Sequence, residues 1–184
     1  KASNTIKKQE GSYTDLYFNY SINQDLRDKR FRTEDGYVTT FAQELPIVSD
    51  NSEISNSFDL TKFKKLSSRS DMVAKVSFFG KTISGLSDDV RISKRLYLPS
   101  YRLRGFEKGK VGPVDNDDYI GGNHLTALNM SATLPNILEG LDNLDVGIFF
   151  DAANIWGIDY DSSLDDKSTI RSSAGVALNL MTPI

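Results

Sequence analysis

The feature that most constrains the fold of this chain is a two-residue alternation of apolar and polar side chains. In residues 14–23, for example, Leu16, Phe18, Tyr20 and Ile22 fall on one face and polar side chains on the other. A period of two is typical of a β-strand whose two faces lie in different environments. The alternation occurs in seven segments: 14–23, 37–45, 55–66, 72–83, 126–134, 146–152 and 170–181. Helical periodicity is absent over any useful length, so the sequence predicts an all-β fold of sequential antiparallel hairpins.

The connections between the predicted strands alternate in length. Turns near 25–36, 67–71 and 136–143 are modest, whereas those near 46–54, 84–123 and 157–169 are on the whole longer and more acidic. Short turns on one side and long loops on the other are typical of an outer-membrane β-barrel, although a soluble β-sandwich shares this pattern. The aperiodic loop 84–123 is too long for a structureless connection in a compact domain and indicates a functional loop. Pro46 is predicted to end the second strand.

Composition excludes several classes of function. The 184 residues contain no cysteine, so disulfide scaffolds and thiol chemistry are excluded. With 22 basic and 25 acidic residues, the formal net charge is −3, whereas nucleic-acid-binding domains usually carry a basic excess. The single histidine, His124, has no nucleophile at motif spacing. The sequence therefore predicts no metal site and no nucleic-acid partner, and its remaining motifs indicate neither an enzyme nor a cofactor.

The long predicted loop carries three short motifs in a fixed order. Arg102-Leu103-Arg104-Gly105-Phe106 comes first, Gly112-Pro113 follows, and Gly121-Gly122-Asn123 leads into the next strand. Further along, Phe150-Asp151 lies in the sixth predicted strand, and the last one runs toward Thr182-Pro183. In this order the motifs resemble the BamA family of outer-membrane protein insertases, within the bacterial surface antigen superfamily.

A further part of the resemblance lies between the first two predicted strands. Asp25-Leu26-Arg27-Asp28 and Gly36 are similar to a turn of the same family, with Thr33 where the family has proline. The resemblance therefore extends from about residue 14 to residue 184.

The resemblance implies a fold and a place for the chain. Residues 1–184 would be part of a C-terminal outer-membrane domain, an antiparallel up-and-down transmembrane β-barrel. About seven consecutive strands of a larger barrel would be present, with loop 84–123 on the extracellular side. The periplasmic POTRA domains and the terminal strands would lie outside these residues. Seven strands alone leave two open edges, which lipid does not tolerate, so the chain is expected to be a fragment.

The resemblance also implies a function and partners. The parent protein would assemble β-barrel proteins and insert them into the outer membrane. The alternative is a TamA-like or two-partner-secretion translocation pore of the same superfamily. The implied partners are unfolded outer-membrane protein clients, the lipid bilayer, and assembly-complex lipoproteins reached through the POTRA domains.

The family also implies a contact between the loop and the barrel wall. Its loop arginine, here Arg104, folds back into the lumen and pairs with a carboxylate of the inner wall, which corresponds to Asp151. A second family carboxylate corresponds to Ser131, so either Asp151 interacts with Arg104 alone or another acid such as Glu107 supports it.

The neighbouring motif residues have expected roles as well. Gly105 would provide a backbone conformation or a close approach that a Cβ blocks, and Phe106 an apolar anchor. Five residues would support the loop: Gly112, Pro113, Gly121, Gly122 and Asn123. By alternation, six apolar side chains would face lipid: Leu128, Met130, Ile148, Phe150, Val176 and Leu178.

Overall fold

Seven long strands form one antiparallel sheet, and their order in the sheet follows the chain. The structure is a computed structural model that describes residues 11–68, 71–134, 144–161, 163–164 and 169–180. The sheet contains β1 (Asp15–Asp25), β2 (Asp35–Ser49), β3 (Glu53–Lys65), β4 (Val73–Gly85), β7 (His124–Leu134), β8 (Leu144–Trp156) and β9 (Arg171–Leu180). The predicted all-β antiparallel fold is confirmed.

The connection between β4 and β7, residues 86–123, is the long loop. It contains a two-stranded hairpin, β5 (Val114–Asp115) and β6 (Asp118–Tyr119), and two single-turn 3-10 helices, Ile92–Lys94 and Ser100–Arg102. No helix in the described residues has the length and apolarity needed to span a membrane. The predicted turn 136–143, parts of the turns 67–71 and 157–169, and the Thr182-Pro183 motif lie outside the described residues.

The prediction that the second strand ends at Pro46 is wrong, because β2 continues through Pro46 to Ser49. Tyr17 of β1 pairs with Pro46, and a register shift beside this pair leaves Ile47 out of the ladder as a bulge. On the other edge of β2, pairing with β3 ends at Glu44. A proline is therefore tolerated here, since its missing N–H removes no hydrogen bond from the ladder with β3.

The two faces of the sheet differ in polarity. We call the face covered by the long loop the inner face and the opposite one the outer face. On the outer face, Ile148 is 54% exposed and Val176 is 68% exposed, and Met130, Phe150 and Leu178 are exposed as well. Their neighbours along the strands, such as Asn129 and Asp151, lie on the inner face, where they pair across β7 and β8. The alternation of the sequence is thus an alternation between an apolar outer face and a mainly polar inner face.

A hydrophobic cluster joins the long loop to the inner face. Ile83, Leu125, Ala127, Ala153 and Ile155 come from the strands, and Val90, Leu96, Leu98, Leu103 and Val111 from the loop. All ten side chains are buried, and those of the sheet lie near the loop end of β4, β7 and β8. The loop is therefore folded onto the sheet through a hydrophobic core that the two share.

Candidate functional site: the loop latch on the inner face

Arg104 of the long loop contacts Asp151 of β8 through both its side chain and its backbone. Its Nε donates to Asp151 Oδ2 at 2.7 Å and its Nη2 to Oδ1 at 2.8 Å. The Arg104 backbone N–H also donates to Oδ2, at 3.1 Å. The Phe149 ring centroid lies 3.5 Å from Arg104 Cζ. A bidentate, charge-assisted pair stacked on an aromatic ring fixes both the position and the plane of the guanidinium. We call this pair the latch.

The two partners of the latch differ in burial. The side chain of Asp151 is fully buried, whereas that of Arg104 is 36% exposed. Asn129 of β7 adds a further donor, because its Nδ2 lies 2.8 Å from Asp151 Oδ1. A buried carboxylate is costly unless it is paired and hydrogen-bonded, and here both oxygens accept from the loop while one also accepts from the wall.

The residue that assists Asp151 is not the acid that the sequence suggested. Glu107 does not support Asp151 in the described part of the chain; its carboxylate lies 3.3 Å from Lys110 Nζ on the same loop. Ser131 lines the cavity beneath the loop. The residue that supports Asp151 is Asn129, its direct cross-strand partner. The alternation places Asn129 on the same face as Asp151, but the sequence did not predict their contact, which requires the register of the hairpin.

Gly105 and Phe106 have separate structural roles. Gly105 has a φ of +82°, and a Cβ added there would meet no atom within 4 Å. The glycine is therefore needed for its left-handed backbone and not for a close approach. Phe106 is partly buried and packs against the hydrophobic cluster.

Two of the loop-supporting residues bring the loop backbone close to the end of β8. A Cβ on Gly122 would lie 2.5 Å from the Trp156 carbonyl oxygen, so the close approach requires glycine. At Gly112 the added atom would lie 3.1 Å from Ile155 Cβ. Pro113 is fully buried beside this contact. The loop can lie this close to β8 because side chains are absent at Gly112 and Gly122.

Gly121 and Asn123 join the end of the loop to neighbouring segments. A Cβ on Gly121 would lie 2.7 Å from the carbonyl oxygen of Leu96, on an earlier part of the same loop. Asn123 donates its backbone N–H to the Gly157 carbonyl at 2.9 Å. Its Nδ2 donates to Asp159 Oδ2 at 3.0 Å, in the segment that follows β8.

Two other loop arginines pair with carboxylates, and neither pair was predicted from the sequence. Arg102 Nη2 donates to Asp59 of β3, and the Phe79 ring centroid lies 4.3 Å from Arg102 Cζ. Arg95, whose side chain is fully buried, pairs with Asp159. The only sequence signal for these pairs is weak, namely that Asp59 falls on the polar face of its strand.

A fourth loop arginine ties the beginning of the loop to the first part of the sheet. Arg91, 4% exposed, donates to Asp15 Oδ2 at 2.6 Å and to Glu53 Oε1 at 3.3 Å. The pKa of the Arg91 guanidinium is raised above its ordinary value. Burial alone would lower this pKa, but the hydrogen bond to Asp15 and the charges of Glu53 and Asp15 together outweigh the effect of burial. Tyr17 donates its hydroxyl to Glu53 Oε2 at 2.5 Å. The loop is thus held by four arginines as well as by its apolar core.

A cavity of about 640 Å³ lies beneath the latch. Its lining includes Lys75, Arg102 and Arg104 together with the hydroxyl and amide groups of Ser131 and Asn129. In the described residues no group of three or more acidic, histidine or cysteine side chains is placed to hold a metal ion. The arrangement is that of a folded loop bound to a polar wall by ion pairs.

Comparison with known proteins agrees with this geometry. The model of the Omp85 superfamily domain matches residues 1–184. The chain is 23% identical, over 186 residues, to the outer membrane protein assembly factor BamA of Neorickettsia risticii (strain Illinois). This match covers 99% of the chain but only 25% of that protein, so the chain spans about a quarter of its curated relative.

A solved structure has the same fold. The crystal structure of BamA from Haemophilus ducreyi lacking POTRA domains 1-3 superimposes with a TM-score of 0.82 and 20% sequence identity. The superposition covers 98% of this chain and 41% of that one. These findings confirm the predicted resemblance and the outer-membrane location. They also confirm the antiparallel barrel fold, which is represented here by an open seven-stranded sheet. The chain belongs to the Omp85 superfamily of outer-membrane β-barrel proteins.

Proposed function

We propose that residues 1–184 are part of the barrel of an outer-membrane insertase, which assembles β-barrel proteins and inserts them into the membrane. The observation that carries the proposal is the bidentate contact between Arg104 and the buried Asp151, in a chain whose curated relative is named an assembly factor. We assign the remaining strands and the POTRA domains to parts of the protein outside these residues.

In this proposal the latch holds the long loop inside the barrel. The Arg104–Asp151 pair and the hydrophobic cluster keep the loop on the wall, so the lumen has a fixed shape beneath it. The chain works without covalent chemistry, nucleotide or cofactor, because its contribution is a stable wall and a positioned loop. The outer face, with exposed Ile148 and Val176, contacts the lipid bilayer.

The proposed partners are unfolded outer-membrane protein clients and, through the POTRA domains, the lipoproteins of an assembly complex. Both proposals rest on membership of the superfamily and on the name of the curated relative.

The test is the substitution Arg104→Ala in the complete protein. It leaves the buried Asp151 with the loop N–H and Asn129 as its remaining donors, so the folded barrel should lose stability. We expect a lower temperature for the heat-induced mobility shift on cold gels, and impaired growth of a strain that depends on the protein. Lys108→Ala, an exposed change in the same loop, is the matched control and should behave as wild type.

A charge exchange sharpens the test. Combining Arg104→Asp with Asp151→Arg should recover part of the lost stability, because an opposite-charge pair is restored with altered geometry. Wild-type mobility and growth of Arg104→Ala would show that the latch has no role.

The alternative of a TamA-like or two-partner-secretion pore is separated by reconstitution of the complete protein in proteoliposomes. An insertase accelerates folding of an added outer-membrane protein into the bilayer. Passage of a soluble secreted substrate without such acceleration would establish the translocation pore instead.

A further inference from the structure

Two arginines separated by a single residue bind two strands that are not neighbours in the sheet. Arg102 pairs with Asp59 on β3, and Arg104 pairs with Asp151 on β8. Strands β4 and β7 lie between β3 and β8 in the sheet. Because neighbouring strands are about 4.8 Å apart, the two anchoring strands are about 14 Å apart along the sheet. The loop segment 102–104 spans at most about 7 Å between its outer Cα atoms, so the two side chains bridge the remainder in opposite directions.

Arg102 is itself fixed on three strands. Its side chain is only 11% exposed and is held by Asp59 of β3 and by the ring of Phe79 on β4. Its backbone carbonyl accepts a hydrogen bond from Asn129 Nδ2 of β7 at 2.9 Å. The same Asn129 amide donates to Asp151 at 2.8 Å. One amide therefore connects the backbone of Arg102 to the acceptor of Arg104.

Leu103 completes the segment. Its side chain is 1% exposed and belongs to the hydrophobic cluster between loop and sheet. An arginine on each side of a buried leucine leaves the segment little freedom to move along the wall, because any displacement breaks packing and at least one ion pair together.

We propose that Arg102 is a positioning residue of the latch, which presents Arg104 to Asp151 and, with it, ties β3 to β8 across the inner face. Asp59 holds the guanidinium of Arg102, the carbonyl of Arg102 is then placed against Asn129, and Arg104 follows in register with Asp151. The inference deepens the proposed function and rests on it for the importance of the latch, but its test does not depend on insertase activity.

The first test is a double-mutant cycle in the complete protein, read as the urea midpoint of the folded barrel in liposomes. Arg102→Ala alone should lower the midpoint. In the Arg104→Ala background the same change should have less than half of that effect, because a positioning residue has nothing left to position. A purely structural residue would give the same loss in both backgrounds, and that result would overturn the proposal.

The second test measures the distance between β3 and β8. This chain has no cysteine, so spin labels on cysteines introduced at the outer-face positions Leu60 and Ala152, in the complete protein without other cysteines, report a single distance. We expect a narrow distribution in wild type and a broader one in Arg102→Ala and in Asp59→Asn. Lys108→Ala is the loop control and should leave the distribution narrow.

Rescue distinguishes geometry from charge. The exchange Arg102→Asp with Asp59→Arg should narrow the distribution again, whereas Arg102→Lys, which retains charge but loses the planar fork, should give an intermediate width. If Arg102→Ala does not fold, the Arg102→Lys distribution decides. If the distance distribution of Arg102→Lys or Arg102→Ala is as narrow as that of wild type, the proposed link between β3 and β8 is wrong. This holds even if Arg104→Ala loses stability and impairs growth, as the proposed function predicts.

Discussion

Two adjacent residues of β9 allow a sharp test of how the sheet is oriented in the membrane. Val176 lies on the outer face, 68% exposed, and pairs with Ile148 of β8, which is 54% exposed. Ala177 lies on the inner face and lines the cavity beneath the latch. The two positions share strand and depth, so Val176→Arg and Ala177→Arg differ chiefly in the environment that receives the charge.

The expected magnitudes follow from the position of Val176 in its strand. It lies near the middle of β9, Arg171–Leu180, so both strand ends are about 10 Å away along the bilayer normal. An arginine on the lipid face costs about 2–4 kcal/mol at the midplane and about 0–1 kcal/mol near the interfaces. We therefore expect Val176→Arg to cost about 3 kcal/mol, roughly a hundredfold in the folded population. Ala177→Arg, directed into a cavity of about 640 Å³, should cost less than about 1 kcal/mol.

The measurement is the urea dependence of the folded fraction of the complete protein in liposomes, followed by gel mobility without heating. The ratio of the two losses is the informative quantity, because errors of extrapolation affect both variants alike. Equal losses, or a larger loss for Ala177→Arg, would refute the assignment of the two faces.

Two further predictions concern the loop and the turn between β1 and β2. Gly122→Ala should destabilise the barrel far more than Gly105→Ala, because a Cβ on Gly122 would collide with the backbone of Trp156. Gly105→Ala adds only backbone strain of about 1–2 kcal/mol. Similar urea midpoints for the two variants would contradict this prediction. Hydrogen bonds from Lys29 and, to a smaller extent, from Lys65 lower the pKa of Glu34 in the folded protein. Ionised Glu34 therefore stabilises the fold above the pKa that it has in the unfolded chain, and this stabilisation is lost as the pH falls through its pKa in the folded protein. The difference in urea midpoint between wild type and Glu34→Gln should therefore shrink from about pH 6 to about pH 3, and a constant difference would be inconsistent with this titration.

The sequence predicted the strands where one face is apolar and the other polar. It placed their ends less well where both faces are apolar. Leu125, Ala153 and Ile155 lie on the inner face, but they are buried beneath the loop and break the alternation. The sixth predicted strand therefore stopped at residue 152, whereas β8 continues to Trp156.

The candidate site was predictable only in part, for a related reason. The pairing of Arg104 with Asp151 was expected from the resemblance to a known family. The contacts of Arg91 with Asp15 and of Arg102 with Asp59 join residues 76 and 43 positions apart, and nothing local in the sequence marks them. Such pairs become visible only when the sheet has brought its strands into register.

The way the long loop is anchored sets an order of events during folding. Its carboxylate partners come from β1, β3, β8 and the segment after β8, and Arg104 must wait for Asp151, which lies 47 residues further along the chain. The apolar loop residues likewise find Ala153 and Ile155 only when β8 has joined the sheet. Until then, Arg95 and Arg104 lack the carboxylates of Asp159 and Asp151, and the hydrophobic cluster lacks the side chains that β8 contributes. Because these contacts are long-range, we expect closure of the loop to follow the addition of β8 to the sheet in its correct register.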